Sequence, residues 1–246
     1  MNHQRTFLNT EDFEMWRSVG LRIQDDFSLY DNPDKIRNDP LHCRQIAETV
    51  SHTLLWLVLR VMNYLASESD EITTLRLPMW LQLTRQLDEW YANLPQTFQP
   101  CAQIKYPLQR RSGTHQTSHL TEVFFSMNVC AAALQLYHFA RILLLHNKPC
   151  QSHDAIVRPY QTSTEATKHA HQIVGIALGR PHPAVRVEML LPLYIAGLCL
   201  EADEERKVLL ELLRAIEQDT GCSTESRCVE LMDRWGWSQE GMDVGI

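Results

Sequence analysis

The chain has 246 residues, 44% of them hydrophobic and 22% charged, with 9 glycines and 11 prolines. That much apolar side chain excludes full disorder, and little glycine with few β-branched runs argues against an all-β or glycine-loop nucleotide fold. The net charge is −7; residues 201–246 hold 12 acidic against 5 basic side chains, while residues 1–200 balance at 18 each, so the positive excess of a freestanding nucleic-acid binder is missing.

Apolar spacing predicts helices along most of the chain. Over 10–30, Phe13, Trp16, Val19, Leu21, Ile23 and Phe27 recur before Asn32-Pro33. Over 41–66, Ile46, Val50, Leu54, Leu57, Val58, Val61 and Leu65 keep three- and four-residue steps, and the stretch LLWLVLRVM is apolar all round. The spacing predicts a helix over 78–92 with Pro78 in its first turn and Leu83, Leu87 and Trp90 inward. Residues 95–118, rich in proline, form the longest irregular segment and are expected to be a flexible loop.

A helix over 119–146 follows, then one over 163–178 with Thr162 or Ser163 as cap and Ala166, Ala170, Ile173, Val174 and Ala177 inward. Residues 184–200 read as an apolar helix kinked at Pro192. The acidic opening at 203–205 suits a helix N-terminus for 203–219, ended by Gly221, and a short helix over 224–235 closes the series. The expected fold is all-α: a single domain over residues 1–240 with about eight helices, two of them (41–66 and 119–146) centrally buried, and no strand.

Residues 123–145 are long enough to span a bilayer. Asn128, Gln135, His138 and Arg141 interrupt them, so a buried core helix and no membrane is the expectation. The seven cysteines, Cys43, Cys101, Cys130, Cys150, Cys199, Cys222 and Cys228, are odd in number, widely spaced and free of CxxC, which reads as buried thiols in a reducing, intracellular compartment. No basic-then-apolar leader opens the sequence, so no signal peptide is expected.

Motifs for the commonest enzymes are missing: no GxxxxGK[ST], GxGxxG or GxSxG occurs. Asp25-Asp26 with Asp31 resembles the aspartate-rich magnesium motif of terpene synthases, yet the second metal motif of that family is not present. His169 and His171 lie about 200° apart around a helix and cannot grip one ion, whereas His115 and His119 have a chelating spacing with His115 in the preceding loop. No metal, cofactor or catalytic residue is expected. Lys105, Arg110 and Arg111 make a small basic run with Tyr106 as the lone aromatic neighbour, a solvated surface more than a phosphate track. The most informative stripe is Cys130, Leu134, His138, Arg141 and Leu145 on one face of the most apolar helix. A cation there must be paired. Gln135, His138 and Arg141 are therefore the candidate site residues, either as an inter-helix polar contact with an acid elsewhere or as the wall of a small-molecule pocket.

The order of further landmarks carries a family resemblance. Trp80, Leu83, Leu87 and Trp90 lead into Leu94-Pro95, Phe98 and Pro100; Tyr137-His138, Leu143-Leu144-Leu145 and Pro149 follow. Leu191-Pro192-Leu193-Tyr194-Ile195-Ala196-Gly197 comes next, then Ile216-Glu217, Thr220-Gly221, Leu231 and Trp235-Gly236-Trp237. Over residues 80–237 this resembles the C-terminal part of the fungal-specific transcription-factor domain, the middle homology region of zinc-cluster regulators. The resemblance implies an all-helical regulatory domain of a nuclear regulator of RNA polymerase II, with other transcription proteins or a DNA-binding partner as contacts and, in some members, a small-molecule effector.

Three departures qualify it. No cysteine has the CxxCx6C spacing of the family's zinc cluster, so no zinc ligand carries over and no direct nucleic-acid contact by this chain is expected; no heptad run supplies a coiled coil. Cys222 stands where the family often has Trp. The chain is expected to be either a fragment or a regulatory domain working without DNA contact. The competing expectation is a helical scaffold turned small-molecule enzyme, a cyclase or isomerase of a fungal biosynthetic pathway, with His138 and Arg141 first to test.

Overall fold

A computed structural model describes residues 8–18, 21, 40–66, 73–107, 119–149 and 158–237. Among them are nine helices: α1 (Phe13–Ser18), α2 (Pro40–Ala66), α3 (Thr73–Ala92), α4 (Asn128–His146), α5 (Arg158–Leu178), α6 (Pro183–Glu188), α7 (Leu190–Gly197), α8 (Asp203–Thr220) and α9 (Glu225–Trp235). A 3-10 turn at Gln96–Phe98 and a two-stranded antiparallel ribbon, β1 (Ala102–Lys105) with β2 (Thr121–Phe124), complete the elements among the described residues. Asp25, Asp26, Asp31, Arg110, Arg111, His115 and Cys150 lie outside the described residues.

α4 is the hub. It packs against α2, α3, α5, α6 and α7, and three alanines on it, Ala131, Ala133 and Ala140, are buried and let neighbouring backbones approach. Among the described residues it is the one helix long and apolar enough to cross a membrane, and 61% of that stretch is buried inside the fold. α2 lays Leu54, Trp56, Leu57, Val61 and Tyr64 into the core while Leu55 stays exposed on its other side. α8 and α9 close the end, burying Leu209, Leu213, Ile216 and Leu231, and Gly221 and Gly236 end them at φ 73° and 71°, the left-handed region that glycine enters without strain.

Indole nitrogens stitch the helices together. Trp80 Nε1 donates to the Leu144 carbonyl (2.8 Å), Trp90 Nε1 to Val50 (2.9 Å), Trp56 Nε1 to Thr10 (3.0 Å) and Trp235 Nε1 to Gly197 (3.0 Å). Each indole brings a large apolar body together with the one donor it must satisfy when buried. The tryptophans of the sequence landmarks are thus the links of α3 to α4, α3 to α2 and α9 to α7. Arg186, buried at 3% exposure on α6, forms an ion pair with Asp219 of α8 and closes the same end of the bundle.

Several sequence expectations change. The helix expected over 119–146 begins at Asn128, because the residues before it form β2: Thr121, Val123 and Phe124 are strand-favouring, and Val123 alternates inward between half-buried neighbours. The expected irregular stretch after Pro95 contains the 3-10 turn and β1. The helix expected over 184–200 is two helices, and the break falls at Met189, not at Pro192. A proline ring clashes with the carbonyl four residues back, which is Glu188, the last residue of α6; Pro192 then fits the first turn of α7. Pro78 lies inside α3, one turn after its start at Thr73, and the Thr74 carbonyl there forgoes its helical donor. Of the helix expected over 10–30, residues 10–12 precede the helix, Phe13–Ser18 form α1 and Leu21 is buried, while 19, 20 and 22–30 lie outside the described residues. No disulfide joins the described cysteines, and only Cys130 and Cys228 are buried, while Cys101 is exposed.

α5 meets the ribbon through two glycines. A Cβ on Gly175 would lie 2.3 Å from the Thr121 carbonyl oxygen, and one on Gly179 would lie 2.1 Å from that of Val123. The helix backbone therefore rests directly on β2, at a spacing that any side chain at these positions would prevent.

Candidate functional site

The three candidate residues on α4 point to three different partners. Gln135, 1% exposed, donates through Nε2 to the Ile173 carbonyl of α5 at 3.2 Å. His138, three residues on, meets His169 of α5 with the two Nδ1 atoms 2.8 Å apart. Arg141, one turn further, forms an ion pair with Asp88 of α3. The steps of three and four that defined the stripe explain this: the side chains share one side of α4 and fan across the seam where α3, α4 and α5 meet.

Aromatic rings wrap the seam. Tyr137 stacks on Trp90 (5.7 Å, 27°) and on Tyr91 (4.6 Å, 15°) of α3. Its ring also meets His138 and His169 edge-on, at 5.1 and 6.2 Å. Tyr91 is 47% exposed, whereas Tyr137 and His138 are buried, so Tyr91 forms the outer layer over a buried ring cluster. Burial pushes the Tyr137 hydroxyl up to about 12.

Both imidazoles are held neutral at pH 7. Burial, then the neighbouring His169, then the Arg141 guanidinium bring His138 down to about 3. Burial, then Arg141, then Lys168 bring His169 down to about 4. The contact agrees with this: a hydrogen bond between two Nδ1 atoms needs one proton and one lone pair, which two imidazolium ions cannot provide. The linkage sign follows. The unfolded chain takes up protons near 6.5 and the folded one does not, so stability is full above about 6.5 and falls as the pH drops towards 4. Between pH 7 and pH 5 each neutral imidazole is expected to withdraw about 2 kcal/mol. Urea unfolding at the two pH values checks it: the midpoint should fall in the unaltered protein and fall much less in a His138→Gln/His169→Gln double variant. An equal fall in both would rule out the pair as the source.

A second imidazole cluster lies on the other side of α5. His171 Nε2 is 2.9 Å from Glu205 Oε2 of α8, and Glu205 Oε1 accepts the His119 backbone N–H at 3.3 Å. The His119 and His171 rings stack at 5.7 Å. Glu205 is 3% exposed; burial raises its pKa, but the hydrogen bonds and charge of His171 and His119 prevail and leave it below the ordinary carboxylate range. This cluster ties α5 and α8 to the residue that leads into β2. His169 and His171 thus face opposite partners, as their spacing requires. Among the described residues no group of three or more His, Cys, Asp or Glu is placed to hold a metal ion.

Two members of the seam escaped the sequence reading. Tyr91 is one residue past Trp90, and an exposed aromatic beside a buried one was the available signal. Asp88 is the acid that Arg141 required, but its position on α3 follows only from the packing of α3 on α4.

Comparison with known proteins gives three findings. A family model described as "Fungal specific transcription factor domain" matches residues 51–237. The transcription activator AMTR1 of Alternaria alternata is 31% identical over 265 aligned positions, covering 96% of this chain and 33% of that protein, so the chain spans about a third of its relative's length. No solved structure matches.

Proposed function

Since the chain belongs to the fungal-specific transcription factor domain family, we propose that it is a regulatory domain of a fungal transcription regulator, acting in the nucleus through contacts with other transcription proteins or a DNA-binding partner and responding to a small-molecule effector. The observation that carries this reading is the extent of the match: the family model covers 51–237 and the relative named as a transcription activator aligns along 96% of the chain. Trp80, Trp90, Tyr137 and Trp235, landmarks of the family resemblance that lie within the matched range, link the helices to one another.

Sequence reading by this chain itself is not part of the proposal. Major-groove recognition needs a presented helix or ribbon with basic and amide side chains. β1 offers Gln103 and Lys105 alone, and α8 and α9 together carry nine acidic against five basic side chains, with Arg206, Lys207 and Arg234 already in ion pairs with Asp203, Glu204 and Glu230. A phosphate backbone repels such a surface. In mobility-shift titrations with the purified chain and a randomised duplex pool, no sequence-specific complex is expected. Enrichment of one sequence, surviving moderate salt, would overturn this part of the reading.

A further inference from the structure

The ribbon has one covered edge and one open edge. Tyr106 donates its backbone N–H to the Leu120 carbonyl at 3.1 Å, and the register runs on with Lys105 opposite Thr121, Ile104 opposite Glu122 and Gln103 opposite Val123. Main-chain groups alternate across an antiparallel pair, so even-numbered residues of β1 and β2 bond each other and odd-numbered ones point outward. On β2 the outward carbonyls are those of Thr121 and Val123, which lie against Gly175 and Gly179 of α5. On β1 the outward groups are the N–H and C=O of Gln103 and Lys105. Among the described residues nothing bonds to them, and all four residues of β1 are exposed.

Such an edge is completed by another strand, and the sequence of β1 fits itself. A second copy laid antiparallel brings Gln103 opposite Lys105 twice over, and each of these pairs exchanges two main-chain bonds, four in all. Ile104, 54% exposed, then lies on the twofold axis against Ile104 of the second copy, at a non-hydrogen-bonded position where side chains come closest. Neighbouring registers are worse. A slip one way sets Lys105 against Lys105 and Gln103 against Pro107, which has no N–H. A slip the other way sets Lys105 against Cys101, whose N–H is already given to the Phe124 carbonyl at 2.8 Å. One register alone keeps all four bonds, pairs the apolar side chain with itself and stops the two ammonium groups from facing each other.

We propose that β1 is a self-association edge: two copies of the chain pair antiparallel through Gln103 and Lys105, with Ile104 at the twofold axis, to form a four-stranded sheet. The contact is short, so the dimer is weak, with a Kd on the order of 100 µM. This assembly goes beyond the regulatory reading and is independent of it, since that reading is decided by transcription output.

Sedimentation velocity of the purified chain from about 10 µM to about 1 mM is expected to show monomer passing into dimer. Lys105→Pro removes an outward N–H and leaves the bonds to β2 in place, so association should weaken at least about tenfold with an unchanged circular dichroism spectrum. Cross-linking reads the register. With oxidised glutathione as oxidant, Ile104→Cys should give a 104–104 disulfide by peptide mass spectrometry, because facing Cα atoms about 4.5 Å apart suit that bond. Lys105→Cys, whose two copies lie diagonally at about 7–8 Å, should cross-link far less. A monomer at the highest concentration, undiminished association of Lys105→Pro, or equal cross-linking at 104 and 105 would overturn the proposal. Slow exchange of the Gln103 and Lys105 amides at every concentration would do the same, because another part of the chain would then hold the edge.

Discussion

A single methyl group on Gly179 or Gly175 is expected to cost about 3 kcal/mol and to loosen the β1–β2 ribbon from α5. In each position the new Cβ would meet a backbone carbonyl oxygen of β2, at 2.1 and 2.3 Å, and a backbone atom cannot rotate away as a side-chain tip can. For Gly175, inside α5, helix propensity alone predicts the opposite sign, because alanine is favoured over glycine inside a helix by about 1 kcal/mol. Denaturant unfolding of Gly175→Ala and Gly179→Ala decides between the two. Gln172→Ala, on the exposed side of the same helix, is the control and is expected to stay within about 0.5 kcal/mol of the unaltered protein. Hydrogen exchange adds location: the amides of 121–124 should lose protection in the glycine variants ahead of those in α4. Stabilisation by either alanine would mean that α5 and β2 do not touch as described.

Trp90→Ala is expected to be the costliest change in the helix core, at about 3–5 kcal/mol. The indole is 5% exposed, packs edge-on against Phe98 at 5.9 Å, stacks on Tyr137 and donates to the Val50 carbonyl, so one side chain joins α3 to α2, to α4 and to the 3-10 turn. Trp90→Phe keeps much of the apolar body and drops the donor, and should cost about 1–2 kcal/mol beyond the lost area. Thermal unfolding of the two variants measures the split. A Trp90→Ala variant within about 1 kcal/mol of the unaltered protein would show that the α2–α3–α4 core does not depend on this ring.

These two predictions differ in how far they could be foreseen. Trp90 was legible: its step from Leu83 and Leu87 put it on the inward face, and its place before Leu94-Pro95 carried the family resemblance. Gly175 and Gly179 were not. In a helical pattern Gly175 looks like a weak residue after Val174 and Gly179 like an ordinary helix end after Leu178, and their purpose appears only when β2 is found against them. β2 itself was hidden because its four residues stand only three positions before a strongly apolar helix, with Phe125 and Met127 between, and the two patterns merge into one run.

The candidate site shows the same division. The face of α4 carrying Gln135, His138 and Arg141 followed from spacing, and Arg141 demanded a partner from burial alone. Which residues answer, Ile173, His169 and Asp88, is set by how α3 and α5 cross α4, and no local pattern encodes that. His169 and His171 were correctly separated by their angle around α5. The His138–His169 hydrogen bond, from which the pH prediction follows, exists only once the packing of α5 on α4 brings the two Nδ1 atoms within 2.8 Å.

The central claim is that this helical domain alters transcription without reading DNA, and a tethering experiment tests it most directly. Fused to an unrelated DNA-binding module whose sites precede a reporter gene in a fungal host, the chain is expected to change reporter transcription relative to the module alone, and Trp90→Ala should abolish that change at equal protein level. Reporter output indistinguishable from the module alone, with the fusion folded and present in the nucleus, would contradict the account.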